Sequence, residues 1–231
     1  MHQYYQQEDR QLVAVDCVIF GFDKGLLKLL LLKRNFEPGL GKWSLAGGFL
    51  QRKESLVEAA DRVLCKLTGL KDVFLEQLYA YGNPARDPGE RVVSVTYFAL
   101  LKVEDYYKDL VIENGAHWQA IENIPELLFD HGEMVEKALC RLRLVAKSQP
   151  IGFELLPAKF TLPQLQSLYE AIYQKELDKR NFRKKILSMD LLDKLDEKDK
   201  SSSKKGAFLY RFNTEKYKEL VAKGFYFSLD I

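Results

Sequence analysis

The sequence predicts an α/β sandwich followed by a winged helix-turn-helix. Three observations lead there. Apolar runs rich in Val, Ile and Leu, separated by polar turns, fill the first part of the chain and enclose one helix-periodic segment. A second amphipathic segment, His131 to Lys147, closes that part. Beyond Pro150 the order becomes helix, short turn, basic helix, charged hairpin and aromatic strand. The 231 residues allow two domains. Pro150-Ile151-Gly152 and Pro157 mark the boundary, giving residues 1–150 and 151–231.

Composition sets the class. Hydrophobic residues make up 47% and charged residues 29%, the balance of a soluble globular chain. The formal net charge of +2 says little about partners, but its distribution does. From Ile151 onward there are 16 Lys and Arg against 12 Asp and Glu, so the basic surplus lies in the C-terminal third. Cys17, Cys65 and Cys140 are scattered without metal-ligand spacing and read as reduced thiols of a cytoplasmic protein. The first ten residues are polar and do not form a signal peptide. The most apolar run, Leu26 to Leu32, is broken by Lys28 and is too short to span a bilayer.

Taken in order, Leu12 to Phe20 is a strand, Gly21 to Gly25 a turn, and Leu26 to Arg34 the returning strand. Phe36 to Lys42 is a loop, and Trp43 to Ala46 a short strand leading into Gly47-Gly48. From Ser55 to Thr68, Leu56, Ala59, Val63 and Leu67 recur at helical spacing, and Gly69 is placed as a C-terminal cap. Val73 to Tyr81 and Arg91 to Val103 are strands around a polar loop. A loop carries Glu113, His117 and Trp118, and Pro125 opens the helical region that continues through Lys147. In the second part Thr161, Pro163 and Gln164 start a helix with the stripe Leu165, Leu168, Tyr169 and Ile172. Asp178 caps a second helix that buries Phe182, Ile186 and Met189. Asp193 to Lys205 is a charged hairpin, Ala207 to Phe212 a strand, and Asn213-Thr214 cap a last short helix.

The stretch from Gly47 to Leu70 resembles the Nudix box. Gly48, Glu54, Arg62, Leu64, Gly69 and Leu70 stand at the family's spacing, and Trp43 to Gly48 matches its leading strand. The resemblance implies a Nudix-like domain over roughly residues 10–147. It does not carry hydrolysis with it. Where the family places three helix carboxylates to hold Mg²⁺, this chain has Val63, Lys66 and Leu67. Mg²⁺ takes oxygen ligands, which none of these supplies. No catalytic residue and no metal site are therefore expected, and Arg62 is expected to pair with Glu54 or Glu58.

The second helix of the C-terminal part carries the other chemistry. Lys179, Arg180, Arg183, Lys184 and Lys185 suit phosphates and guanine edges, and Asn181 suits adenine. Lys204, Lys205 and Arg211 reach the DNA backbone from the hairpin, although Asp196, Glu197 and Asp199 oppose them. A box without its metal carboxylates followed by a winged helix resembles the Nudix-related transcriptional regulators, both the NrtR-like regulators of NAD metabolism and the AraR-type regulators of arabinose use. The resemblance spans essentially the whole chain. It implies a cytoplasmic homodimer that binds operator DNA as a repressor and senses a small effector. Without the Mg²⁺ bridge to a diphosphate, the expected effector is a sugar, L-arabinose. The alternatives are ADP-ribose sensing and ADP-ribose hydrolysis. A sugar needs hydroxyl partners and an aromatic face. Asp16, Arg34, Trp43, Ser44, Tyr97, Glu113, His117 and Trp118 meet that chemical requirement.

Overall fold

A strand of twelve residues, β1 (Leu12–Asp23), lies inside the main sheet. Val15, Cys17, Val18, Ile19 and Phe20 are all fully buried. Burial on both faces removes the need for alternation, which is why this strand alternates only loosely in sequence. Lys24 and Gly25, at φ 50° and 83°, turn the chain into β2 (Leu26–Lys33). Two positive-φ residues make the two-residue hairpin whose twist matches its strands. β2 is antiparallel to β3 (Trp43–Ser44) and to β7 (Ala116–Ala120). β4 (Ala46–Phe49) is antiparallel to β1, with Asp16 opposite Gly47. β6 (Val92–Lys102) neighbours β1, and β5 (Glu76–Tyr81) is antiparallel to β6 at the sheet edge. The computed structural model describes residues 8–103, 115–200 and 205–229.

Helix α1 (Leu56–Thr68) begins at a capping box. Ser55 accepts from the Glu58 N–H, and Glu58 accepts from the Ser55 N–H at 2.7 Å. It ends at Gly69, φ 76°, whose N–H donates to the Cys65 carbonyl. Its buried face is Ala59, Ala60, Val63, Leu64 and Thr68. The face is thus rotated from the expected stripe, and Leu67 is half-buried.

Three expectations need correction. His117 and Trp118 lie in β7, opposite Leu31 and Leu30, and not in a loop. The region after Pro125 is not helical. Leu127 bridges Trp43, the Leu128 N–H donates to the Trp43 carbonyl, and Phe129 is left-handed at φ 54°. Edge pairing there competes with helix formation, so α2 (His131–Ser148) starts six residues later than the proline. The strand expected from Val73 starts at Glu76, because Asp72 is left-handed and Phe74 is 86% exposed.

In the C-terminal part β8 (Phe160–Thr161) leads into α3 (Leu162–Tyr173) through the capping box of Thr161 and Gln164. Gln174, left-handed, ends α3. Asp178 caps α4 (Lys179–Ser188) by accepting from the Asn181 N–H at 2.8 Å. The charged segment is partly a strand: β9 (Leu192–Asp199) and β8 flank β10 (Ala207–Phe212) in a three-stranded antiparallel sheet. α5 (Thr214–Ala222) follows with Asn213 as its cap. Tyr169 and Phe182, both almost fully buried, join α3 to α4 with ring centroids 5.9 Å apart. The chain forms two compact units. One holds most of the main sheet and the start of α2. The other holds everything described from Leu139 onward together with Gly21–Leu27 and the end of β6 from Leu100. Among the described residues no helix is long and apolar enough to cross a membrane.

One polar joint fixes the first unit internally. Asp16 is 5% exposed and sits on β1. The Ser94 hydroxyl on β6 donates to its Oδ2 at 2.5 Å. His131, at the start of α2, accepts from the Leu45 N–H through Nδ1 at 3.1 Å. Its proton therefore sits on Nε2, 3.5 Å from Asp16 Oδ1. A Cβ built on Gly47 would come within 2.0 Å of the same Oδ1, so only glycine fits opposite this carboxylate.

Burial lowers the pKa of His131 from its ordinary 6.5, although Asp16 and Asp130 pull the other way. The unfolded chain then takes up this proton at a higher pH than the folded chain. The stabilisation is fully present above pH 6.5 and is lost as pH falls through that value toward the folded pKa. His131→Gln keeps an acceptor for Leu45 but does not titrate. Urea midpoints measured from about pH 7 to about pH 5 should fall more steeply for the wild type than for His131→Gln. Equal slopes would mean that His131 is not the titrating group.

Candidate functional site

The polar joint extends into a cluster of charges. Arg86, its side chain 4% exposed, makes two hydrogen bonds to Asp130, at 2.8 and 2.7 Å. Its Nη2 lies 3.8 Å from Asp16 Oδ2. Burial works to lower the Arg86 pKa, but the hydrogen bonds and charge of Asp130, with Asp16 beyond, leave it raised. A buried ion is costly unless paired, and the planar guanidinium fork meets a carboxylate with two bonds. The polar loop that carries Arg86 is held by Asn83, which accepts from the Ala85 N–H through Oδ1 and from the Arg86 N–H through its carbonyl.

Arg34 borders this cluster at the end of β2. Its N–H donates to the Lys42 carbonyl and its carbonyl accepts from the Gly41 N–H, so the loop closes on its backbone. The guanidinium lies 4.2 Å from the centroid of the Phe36 ring. Burial lowers its pKa, against the pull of Asp16, Asp87 and Glu37. Its Nε is buried without a hydrogen-bond partner among the described residues. Such a donor is one that an anionic ligand can satisfy.

The structure therefore brings Asp16 and Arg34 together and adds Arg86, Asp130, His131 and Ser94, which the sequence reading did not select. The other described candidate residues lie on β3, β6 and β7. Trp43 and His117 form an edge-on pair with centroids 5.4 Å apart. Ser44 is buried, paired in register with Leu32. Tyr97 is 1% exposed, with its hydroxyl 3.4 Å from Gln77. Trp118 is half-buried opposite Leu30. Glu113 lies outside the described residues. One signal for Ser94 was present in the sequence, a polar residue inside an apolar strand, the same oddity that singles out Asp16. Arg86 and Asp130 are 44 residues apart in segments without periodicity, so nothing in the sequence joined them.

In the box, Glu54 and Glu58 are engaged in bonds of their own. Arg62 donates to Glu54 at 2.8 and 2.6 Å and to the Phe49 carbonyl at 2.9 Å. Those bonds hold the Glu54 pKa below its ordinary value. Glu58 is engaged in the capping box, and its hydrogen bonds from Ser55 lower its pKa too. Val63 is buried, and a Cβ on Gly48 would come within 2.9 Å of its Cγ2. Lys66 is exposed and Leu67 half-buried. Two carboxylates already committed to other bonds, beside a valine and a lysine, do not fit Mg²⁺. Among the described residues no group of three His, Cys, Asp or Glu gathers as a metal site.

On the second unit, α4 buries Phe182 and Ile186 and exposes Lys179, Arg180, Asn181, Arg183 and Lys184, with Lys185 half-buried. Among the described residues none of these cations forms an ion pair. The hairpin differs. Arg211 lies 3.3 Å from Asp193, and Lys159 pairs with Glu197 at 2.7 Å. The Lys194 and Lys198 ammoniums lie 3.9 and 4.4 Å from the Phe208 ring centroid. Lys205 is exposed, and Lys204 lies outside the described residues.

Comparisons with known proteins agree with this division. Residues 10–138 match the NUDIX domain family, and residues 152–212 match the NrtR DNA-binding winged helix domain. The chain is 34% identical to the ADPR responsive transcriptional repressor NtrR of Acinetobacter baylyi, across 92% of this chain and 87% of that protein. The crystal structure of Shewanella oneidensis NrtR complexed with a 27mer DNA superposes with a TM-score of 0.72 at 31% identity, covering 87% of this chain and 93% of that one. The NUDIX domain of the same Shewanella protein complexed with ADP ribose superposes with a TM-score of 0.53 at 33% identity, covering 61% of this chain and 97% of that one. The chain belongs to the NrtR family of transcriptional regulators, with a Nudix fold followed by a DNA-binding winged helix.

Proposed function

We propose that this regulator is a repressor whose residues 1–150 sense ADP-ribose without hydrolysing it and whose residues 151–231 bind operator DNA, the whole acting as a homodimer. The observation that carries the effector reading is the Asp16, Arg86 and Asp130 cluster with Arg34 beside it. ADP-ribose presents a diphosphate, ribose hydroxyls and an adenine. A guanidinium with an unsatisfied buried donor suits the diphosphate, and Asp16, Asp87 and Asp130 suit the hydroxyls. The arabinose reading draws no support. A neutral pentose gives Arg34 nothing anionic to hold, and the relatives are named for, or bound to, ADP-ribose. Against the hydrolase reading stand Val63, Lys66 and Leu67, none of which offers an oxygen ligand to Mg²⁺. DNA contact falls to Lys179, Arg180, Asn181, Arg183 and Lys184, with Lys185 at the margin of the face and Lys205 and Arg211 in supporting positions.

Thermal unfolding with ADP-ribose tests the effector. A ligand at a hundredfold excess over its Kd adds about 2.7 kcal/mol to the folded state, a rise of several degrees in Tm. L-Arabinose at the same concentration should leave Tm unchanged. Chromatography after incubation with Mg²⁺ should show intact ADP-ribose. A Tm shift with arabinose alone, or release of AMP, would overturn the respective part of the reading. For the DNA face, Arg183→Ala with Lys184→Ala should weaken operator binding and reduce the slope of log K against log salt by about two, as expected for two lost phosphate contacts. The same variant should keep the ADP-ribose shift. An unchanged salt slope would remove these two residues from the interface.

A further inference from the structure

The edge strand β5 brings two tyrosines to the charged cluster. Tyr81 stands opposite Ser94 in the β5–β6 ladder, and Tyr79 stands opposite Thr96. Directly opposed residues share a face of the sheet. Tyr79 and Tyr81 therefore lie on the face from which Ser94 donates to Asp16. Helix α2 borders the same pair. The Tyr81 hydroxyl lies 3.4 Å from the Glu133 carbonyl, and the Lys137 ammonium lies 3.4 Å from the Tyr79 ring centroid. The two rings meet edge to face with centroids 5.3 Å apart. Burial, then Asp130 and Glu133, push the Tyr81 pKa up to about 12, which places Tyr81 in the field of the carboxylate that grips Arg86.

This placement leaves an aromatic surface open. Tyr79 is 49% exposed although Lys137 takes part of its ring. A Cβ built on Gly82, next to Tyr81, meets nothing within 4 Å, and the same is true of Gly132 at the start of α2. The part of the Tyr79 ring that Lys137 does not cover is open to solvent. Moving inward, the order of groups is two aromatic rings, then Arg86 with Asp130, then Asp16, then Arg34. That is the order of groups that a nucleoside diphosphate sugar requires, with a flat base at one end and anions toward the other.

We propose that Tyr79 and Tyr81 form the platform for the purine ring of a nucleoside diphosphate sugar whose diphosphate is held by Arg34 beside Arg86. The proposal rests on the effector reading above and adds the direction in which the ligand lies. Aromatic stacking on a base is strong and indifferent to the base's hydrogen-bond pattern, so the platform selects for a base being present. The arginines select for the phosphates.

Calorimetric titration of the full chain with ADP-ribose, ADP and ribose 5-phosphate separates the two contributions. Tyr79→Ala should weaken ADP-ribose and ADP by about tenfold or more, the effect of losing one stacked base. It should leave ribose 5-phosphate unchanged. Tyr79→Trp should restore binding of the two adenine ligands, a rescue that mere loss of surface packing would not give. Arg34→Ala should weaken all three ligands. Undiminished ADP-ribose binding by Tyr79→Ala, or an equal loss for ribose 5-phosphate, would overturn the platform while leaving the effector intact. Absence of ADP-ribose binding by the wild type would instead remove the effector reading and the platform with it.

Discussion

The carboxylate of Asp16, buried in the middle of the main sheet, is the constraint on which the first unit depends. A carboxylate removed from water must be surrounded by donors or it neutralises. Here the donors come from elements that are distant in the chain. Ser94 brings β6, His131 brings the start of α2, and Arg86 brings the polar loop after β5. Two of these donors are in turn fixed by further bonds. His131 holds the Leu45 N–H, and Arg86 holds Asp130. Even the neighbouring backbone answers to Asp16, since Gly47 is glycine because a side chain there would collide with Oδ1. A partly satisfied network of this kind would be worse than an apolar core, so its completeness is what makes it stabilising.

The Nudix box keeps its shape for a related reason. Arg62 clamps Glu54 and the Phe49 carbonyl, and Glu54 accepts in addition from the Gln51 N–H at 2.7 Å. The loop between the strand and α1 is therefore tied down by side-chain bonds within the box. Val63 fills the position beside Gly48 with apolar bulk. An element tied down by its own side chains can lose metal ligands without losing architecture. That separates the fold of the box from its chemistry, and it is why resemblance in the glycines, Glu54 and Arg62 says more about structure than about activity.

The legibility of the chain follows the range of its interactions. Local patterns were readable. The capping box at Thr161, the αL glycine at Gly69 and the turn at Lys24-Gly25 depend on residues a few positions apart. The buried stripes of α3 and α4 follow from periodicity alone. What failed was set at long range. His117 and Trp118 became a strand because β2 offered them a partner, and the residues after Pro125 stayed extended because Trp43 did. The site divides in the same way. Asp16 was conspicuous as a charge inside an apolar strand. Arg86, Asp130 and His131 looked like ordinary loop and helix-start residues until folding placed them around it. The preference for a sugar rested on the missing metal, and it overlooked that arginines can take over the neutralising role of the ion toward a phosphate.

Charge counting in the C-terminal part shows the same limit from the other side. Lysines and arginines occur on β9 and β10 as well as on α4, yet their situations differ. Arg211 already faces Asp193, which also accepts from Asn213, and Lys194 and Lys198 close around Phe208. A phosphate would have to displace those contacts, even though exposed pairs of this kind are individually weak. Among the described residues the cations on α4 form no ion pair, and all but Lys185 are exposed. Phe182 and Ile186 turn inward, and the turn into the helix is closed by Asp178. The rigid buried face fixes the direction of Arg180, Arg183 and Lys184 without using their charge. A surface that is rigid, basic and unpaired gains most when counterions are released to a phosphate backbone. Under the proposed reading, the charge available to DNA is the fraction that the fold leaves uncompensated, and among the described residues α4 carries a group of five such cations.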